Sequence, residues 1–201
     1  MARLSRSLFP VLPEDGVFRI YGQGARPDPS GTPAPPGGEL LACGVDHMEL
    51  RTLQGRVPVG VTVEEWDGPP RSDAPGAEGP EAPEDAEEGG PWEERALGSL
   101  LLHGQISVRG GVNGSAVRIR LAGGSGRYAA EVRARHRRAV AEDCVRLLRR
   151  HPDPRCEGFL RAARMLGGRE AFLIRLWPLS AAADQRSSRA VAVRYPTVVS
   201  G

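Results

Sequence analysis

The chain contains no lysine: all 27 of its basic residues are arginine. A Walker phosphate loop, which needs a lysine, is therefore excluded. Aromatic residues are scarce, at 5% of the chain, and supply little for stacking nucleic-acid bases. The three cysteines, Cys43, Cys144 and Cys156, are odd in number and unrelated in spacing, which argues against a secreted disulfide framework and for reduced thiols. No apolar run approaches the roughly 20 residues of a membrane span. The first residues, MARLSRSLFPVLPEDG, carry two early arginines, but Pro10 and Pro13 interrupt the apolar run, so no signal peptide is expected. A cytoplasmic protein without membrane association is the expectation.

Glycine (26) and proline (18) are abundant among 201 residues, a length that fits one domain with appendages. An all-arginine basic set also matches GC-rich coding, so arginine content alone is no signal for nucleic acid. The net charge of +2 hides a segregation. Residues 64–94 hold twelve acids against Arg71, whereas residues 109–175 hold sixteen arginines against six acids.

Two alternating segments organise the chain. In Gly126–His136, Tyr128, Ala130, Val132 and Ala134 alternate with mostly charged residues, the pattern of a half-buried strand, and Ala171–Trp177 (AFLIRLW) is its expected neighbour. Further strands are expected at Gly16–Tyr21, Glu39–Val45, His47–Arg51, Val57–Trp66, Leu97–Val108 and Ala116–Leu121, with an Asn113-Gly114 hairpin turn and a second turn at Gly123–Gly126. Pro58 favours an edge position for Val57–Trp66. Gly22–Gly38 reads as a long loop, and Asp67–Pro91, lacking large apolar side chains, as a disordered acidic loop. Helical spacing appears in His136–Arg150 and Glu157–Leu166. The expected fold is mainly β: an antiparallel β-sandwich of about seven to nine short strands with a two-helix insertion before the last core strand. Its boundaries are an N-terminal arm at 1–15, the sandwich domain at 16–178 with its acidic loop at 67–91 and helical insertion at 136–169, and a tail or edge strand at 179–201.

Catalytic and metal patterns are weak. Gly124-Ser125-Gly126 departs from a nucleophile elbow because Arg127 stands where the second glycine belongs. Cys43 with His47, and His151 with Cys156, lack compact zinc spacing. Gly22-Gln23-Gly24 lacks the third glycine of a dinucleotide turn and enters a proline-rich loop. Asn113-Gly114-Ser115 fits a glycosylation sequon but, without a secretion signal, reads as a turn. No cofactor is expected. The basic run Arg133, Arg135, Arg137, Arg138, Arg146, Arg149 and Arg150 could attract phosphates or an acidic protein surface, against the plainer reading of a solvated helix face.

The motifs V-P-V-x-V-x-V at Val57–Val63, Trp92, the Leu-rich strand Leu97–Leu102, G-x-Y-x-x-x-V-R-A-R from Gly126 to Arg135 and F-L-I-x-L-W-P from Phe172 to Pro178 together resemble a family of small actinobacterial β-sandwich proteins. That family in turn distantly resembles the competence nuclease-inhibitor proteins of the Nin/ComJ type. The resemblance spans residues 57–178 and implies a compact sandwich that works by binding a nuclease, with no catalytic residues to transfer. His136–Arg169 departs from it by inserting basic helices. The expectation is a non-enzymatic protein-binding module, an inhibitor, immunity factor or regulatory accessory, with Arg133, Arg135, Arg137 and Arg138 as its surface and Trp66 and Trp177 as anchors. The alternatives are a nucleic-acid-associated regulator using the same arginines, and a hydrolase with a site near Ser125, His103 or His136.

Overall fold

The computed structural model describes residues 1–25, 39–70, 90–111 and 116–179. Among these residues eight strands run in chain order as β1 (Arg3–Val11), β2 (Val17–Gly22), β3 (Leu41–Cys43), β4 (His47–Arg51), β5 (Val59–Trp66), β6 (Glu94–Arg109), β7 (Ala116–Arg135) and β8 (Ala171–Pro178). Helices α1 (Arg137–Arg150) and α2 (Glu157–Leu166) separate β7 from β8, at the position the helical spacing indicates. The protein is mainly β, and its strands form one continuous mixed sheet in the order β1-β5-β8-β7-β6-β2-β4-β3.

The two organising segments are neighbours: β7 and β8 pair antiparallel from Tyr128 opposite Pro178 to Arg135 opposite Ala171. Three other expectations need correction. Residues 3–11 are not an arm but an edge strand, paired with β5 through Val11 opposite Val59. β5 is not an edge strand but lies between β1 and β8, because Pro58 falls just before the ladder and removes no bond from it. The β5–β8 pairing is parallel, made possible by the long excursion through β6, β7 and the helices. The Asn113-Gly114 turn, most of the acidic loop and Arg189–Tyr195 lie outside the described residues.

The second expected turn, Gly123–Gly126, does not end a strand. β7 runs through it, and β6 and β7 form one long hairpin that bends there. Between His103 opposite Ser125 and Gln105 opposite Arg120, Gly104 alone on β6 faces residues 121–124 on β7. Gly104 has φ +72°, a left-handed conformation that only glycine adopts without strain. The Glu65 carboxylate holds the other side of the bend, accepting hydrogen bonds from the backbone N–H groups of Ala122 and Gly123, both at 2.8 Å. The Tyr128 hydroxyl donates to the Gly124 carbonyl at 3.0 Å.

This bend divides the hairpin between two halves of the sheet. β8 pairs with β7 beyond the bend, and β2 pairs with β6 at residues 106–109, before the hairpin tip. Three strand steps separate β8 from β2, roughly 14 Å in a flat sheet. Yet the rings of Phe18 on β2 and Phe172 on β8 meet edge to face at 4.9 Å. The sheet is therefore folded over, with its two halves enclosing one core of Phe18, Ile20, Val61, Leu102, Val132 and Ile174 among others. The β1–β2 link is tied to the end of β6, where the Glu14 N–H donates to the Gly110 carbonyl at 2.8 Å.

The helices build a second, smaller core on Val57, from Val140, Cys144, Phe159, Ala163 and Leu166. Cys156 caps α2, its sulfur accepting from the Phe159 N–H at 3.4 Å. Between this core and the sheet lies Glu170, fully buried. Gln54 Nε2 donates to its Oε2 at 3.0 Å, while Oε1 has no partner. Burial raises its pKa to about 7, offset in part by the Gln54 hydrogen bond and by Arg137. In the native state the carboxyl keeps its proton to about pH 7, whereas the unfolded chain releases it near the ordinary glutamate value of 4.5. Stability therefore falls as pH rises between those values and the penalty stays constant above them. Glu170→Gln is expected to unfold at higher urea concentration than the parent at pH 8, by about 2–3 kcal/mol, with the difference vanishing near pH 4. Urea titrations at the two pH values measure it.

Candidate functional site

The alternation that buries Val59, Val61 and Val63 turns Thr62, Glu64 and Trp66 to the other face of β5. Residues opposite each other in the ladder share a face, so the register extends this surface across five strands. One row crosses it as Arg6, Glu64, Arg175, Glu131 and Leu97. Its neighbour runs Leu8, Thr62, Leu173, Arg133 and Arg95. On the other side of the first row stand Trp66 and Trp177, one residue beyond Glu65 and Leu176 in the parallel β5–β8 register.

At the centre of this face lie charges almost fully removed from water: Glu64 at 0%, Glu131 at 2% and Arg175 at 4% exposure. Burying isolated charges would be costly, and each is compensated. Glu64 accepts from Arg175 Nε at 3.2 Å, from Arg3 Nη1 at 3.1 Å and from the Trp66 indole N–H at 3.1 Å, with Arg6 Nε at 3.8 Å. Glu131 accepts from Arg133 Nε at 3.1 Å and is paired with Arg95 and, at 3.8 Å, Arg175. The Arg175 guanidinium also lies 5.8 Å from the centre of the Trp66 ring. Among the described residues, the groups lying against these carboxylates are arginine side chains and the Trp66 indole, while the helices pack on Val57. Around them Leu8 and Leu97 are 73% and 65% exposed.

The structure divides the residues expected at a docking surface. Arg133, Trp66 and Trp177 share this face, and the tryptophans are half-buried. Arg135 and Arg137 serve the strand-to-helix junction instead. Arg135 lies over the Trp92 ring at 4.7 Å and donates to the Gly90 carbonyl at 3.0 Å. Arg137, only 1% exposed, is ion-paired with Glu94, and Glu93 accepts from the N–H of His136 between them at 3.1 Å. The chain returning from the acidic loop is thereby fixed to the start of α1, and His136 takes a left-handed φ of 61° there. Arg138 is exposed on α1, away from the sheet row. Sequence reasoning passed over Glu64, Glu131 and Arg175. Their signal was an ionisable residue in mid-strand between large apolar neighbours, as in L-I-R-L-W, where a charge without a partner would be expelled.

The residues weighed for catalysis do not converge. His103 and Ser125 stand opposite each other on β6 and β7, both exposed, and among the described residues neither is hydrogen-bonded to a carboxylate. His136 lies at the strand-to-helix junction. Cys43 packs over Gly98, and the His47 ring lies 6.1 Å from that of Tyr21. Among the described residues no three His, Cys, Asp or Glu side chains group as metal ligands. None of the described helices is long and apolar enough to cross a membrane.

No family model matches the chain, and no curated protein does. Among solved structures it is similar to ComJ, inhibitor of the DNA degrading activity of NucA, from Bacillus subtilis, at 6% identity and a TM-score of 0.45, over 89% of this chain and 98% of that one. It is also similar to crocagin biosynthetic gene J, at 13% identity and a TM-score of 0.43, over 90% of this chain and all (100%) of the other. Likeness at this level assigns no residue.

The array has a measurable signature in stability. Arg175→Met removes the cation shared by both buried carboxylates and is expected to cost about 3 kcal/mol in urea unfolding. Arg95→Ala, at the half-exposed rim, should cost less than about 1 kcal/mol. Equal effects of the two would show that the central pairings contribute nothing special.

Proposed function

We propose that the protein is a non-enzymatic binding module that docks a protein partner on the outer face of β1, β5, β8, β7 and β6, acting as an inhibitor or regulatory accessory. The observation that carries this reading is the composition of that face. Among the described residues it gathers Arg3, Arg6, Arg95, Arg133 and Arg175 around the buried Glu64 and Glu131. It combines arginine and tryptophan, the residues that dominate interface energetics, with the exposed Leu8 and Leu97. The buried salt-bridge lattice fixes those side chains before a partner arrives, which lowers the ordering cost of association.

The scattered polar groups of the described residues support binding over catalysis, because a reaction centre requires groups held in one geometry. The test uses the tagged full chain to capture its partner, followed by binding measurements with the purified pair. Arg95→Ala combined with Trp177→Ala should weaken that binding by at least about 10-fold while the fold is retained. Arg146→Ala with Arg149→Ala, on α1, should leave it unchanged. The reverse pattern would move the interface to the helix. Binding to arbitrary DNA duplex that declines steeply with salt would favour the phosphate-binding alternative.

A further inference from the structure

The other half of the folded sheet also has an outer face, and it holds a cleft of about 380 Å³. Its floor follows from the register. Tyr21 on β2, Ser107 on β6 and Arg118 on β7 stand in one row, and Arg109 lies opposite Arg19 in the next row but one. Its rim is the turn Gly22–Ala25, closed by the Ala25 N–H on the Gly22 carbonyl at 3.1 Å and anchored by the Gln23 N–H on the Gln105 carbonyl at 3.1 Å. Gly24 has φ +84°, so the glycine pair that is too short for a dinucleotide turn forms the lip of a cleft instead.

Every polar side chain lining the cleft can donate a hydrogen bond, and none is acidic. Among the described residues neither Arg109 nor Arg118 is paired with a carboxylate; the nearby Glu49 is engaged by Arg19 at 2.6 Å. The Ser107 hydroxyl oxygen is buried and, among the described residues, has no hydrogen-bond partner. An unsatisfied polar atom of this kind costs stability and calls for an explanation. Burial raises the pKa of Tyr21, so its hydroxyl remains a donor at neutral pH.

We propose that this cleft binds a small phosphate monoester of the sugar-phosphate class, its oxyanion held by Arg109, Arg118 and the hydroxyls of Ser107 and Tyr21. Two guanidiniums and two hydroxyls match the charge and oxygen count of a phosphate dianion better than those of a carboxylate, which has two oxygens and one charge. The volume is in the range of small-ligand sites and exceeds what the phosphate group alone needs. The amides of Gln23 and Gln105 suit the hydroxyls of the remaining body. The site is independent of the docking face, which belongs to the other half of the sheet.

Isothermal titration of the full chain with ribose 5-phosphate is expected to show saturable 1:1 binding, with no binding of ribose. Arg118→Gln, at an exposed position that the fold does not need, and Arg109→Gln should each weaken it by at least about 10-fold. Arg95→Ala should leave it intact. Absence of saturable binding at millimolar ribose 5-phosphate, or binding that both variants leave unchanged, would overturn the assignment. Equal affinity for inorganic phosphate would overturn the sugar-phosphate class. Thermal melts of both variants establish that they are folded.

Discussion

The bend in the β6–β7 hairpin is the constraint from which the rest of the architecture follows. A flat hairpin of that length would leave each of its faces half wet. By turning at Gly104 and at residues 121–124, the hairpin lends one arm to each half of the sheet and brings Phe18 onto Phe172. The bend is itself a polar device, because releasing backbone N–H groups from a ladder inside a protein requires another acceptor. Glu65 is that acceptor, and it belongs to β5, two strands away from β7 in the sheet order. The turn in one hairpin is thus stabilised by a strand that the fold brings to it.

Folding one sheet over a shared core leaves two outward faces with opposite treatments of charge. On the β5–β8 side, carboxylates and guanidiniums neutralise one another in a buried lattice, edged by tryptophan and leucine. On the β2–β6 side, guanidiniums and hydroxyls face a cleft that contains no carboxylate. The first arrangement favours a broad, rigid contact and the second a small anion. The helices add to neither; their apolar stripes are spent on Val57, and their basic residues point to solvent or hold the junction after β7.

Much of this was legible in the residues. The alternation in Tyr128–Ala134 and Ala171–Trp177 identified two central strands, and the helical spacing of Val140, Cys144 and Leu147 located α1. The bend was misread because Gly123-Gly124-Ser125-Gly126 has the composition of a loop, while the decisive partner, Glu65, lies 57 residues from Ala122 in sequence. β1 was missed because Arg3–Val11 has an apolar pattern too weak to stand out and takes its structure from β5. Arg135 and Arg137 were placed on the surface because arginine in a basic run is usually solvated; the return segment Gly90–Glu94 supplies the carbonyl, the indole and the carboxylate that bury them. Such long-range compensation leaves little trace in local composition.

The parallel alliance of β5 with β8 also bears on biosynthesis. β8 occupies an interior slot, with β5 on one flank and β7 on the other, although it is made after all the other described strands. As the ribosome extends the chain, β5 and β7 must wait with unpaired backbone edges until β8 emerges. The nascent polypeptide is thus open to mispairing from the making of β5 to that of β8, and closure arrives in one step, when a single strand knits the two edges together.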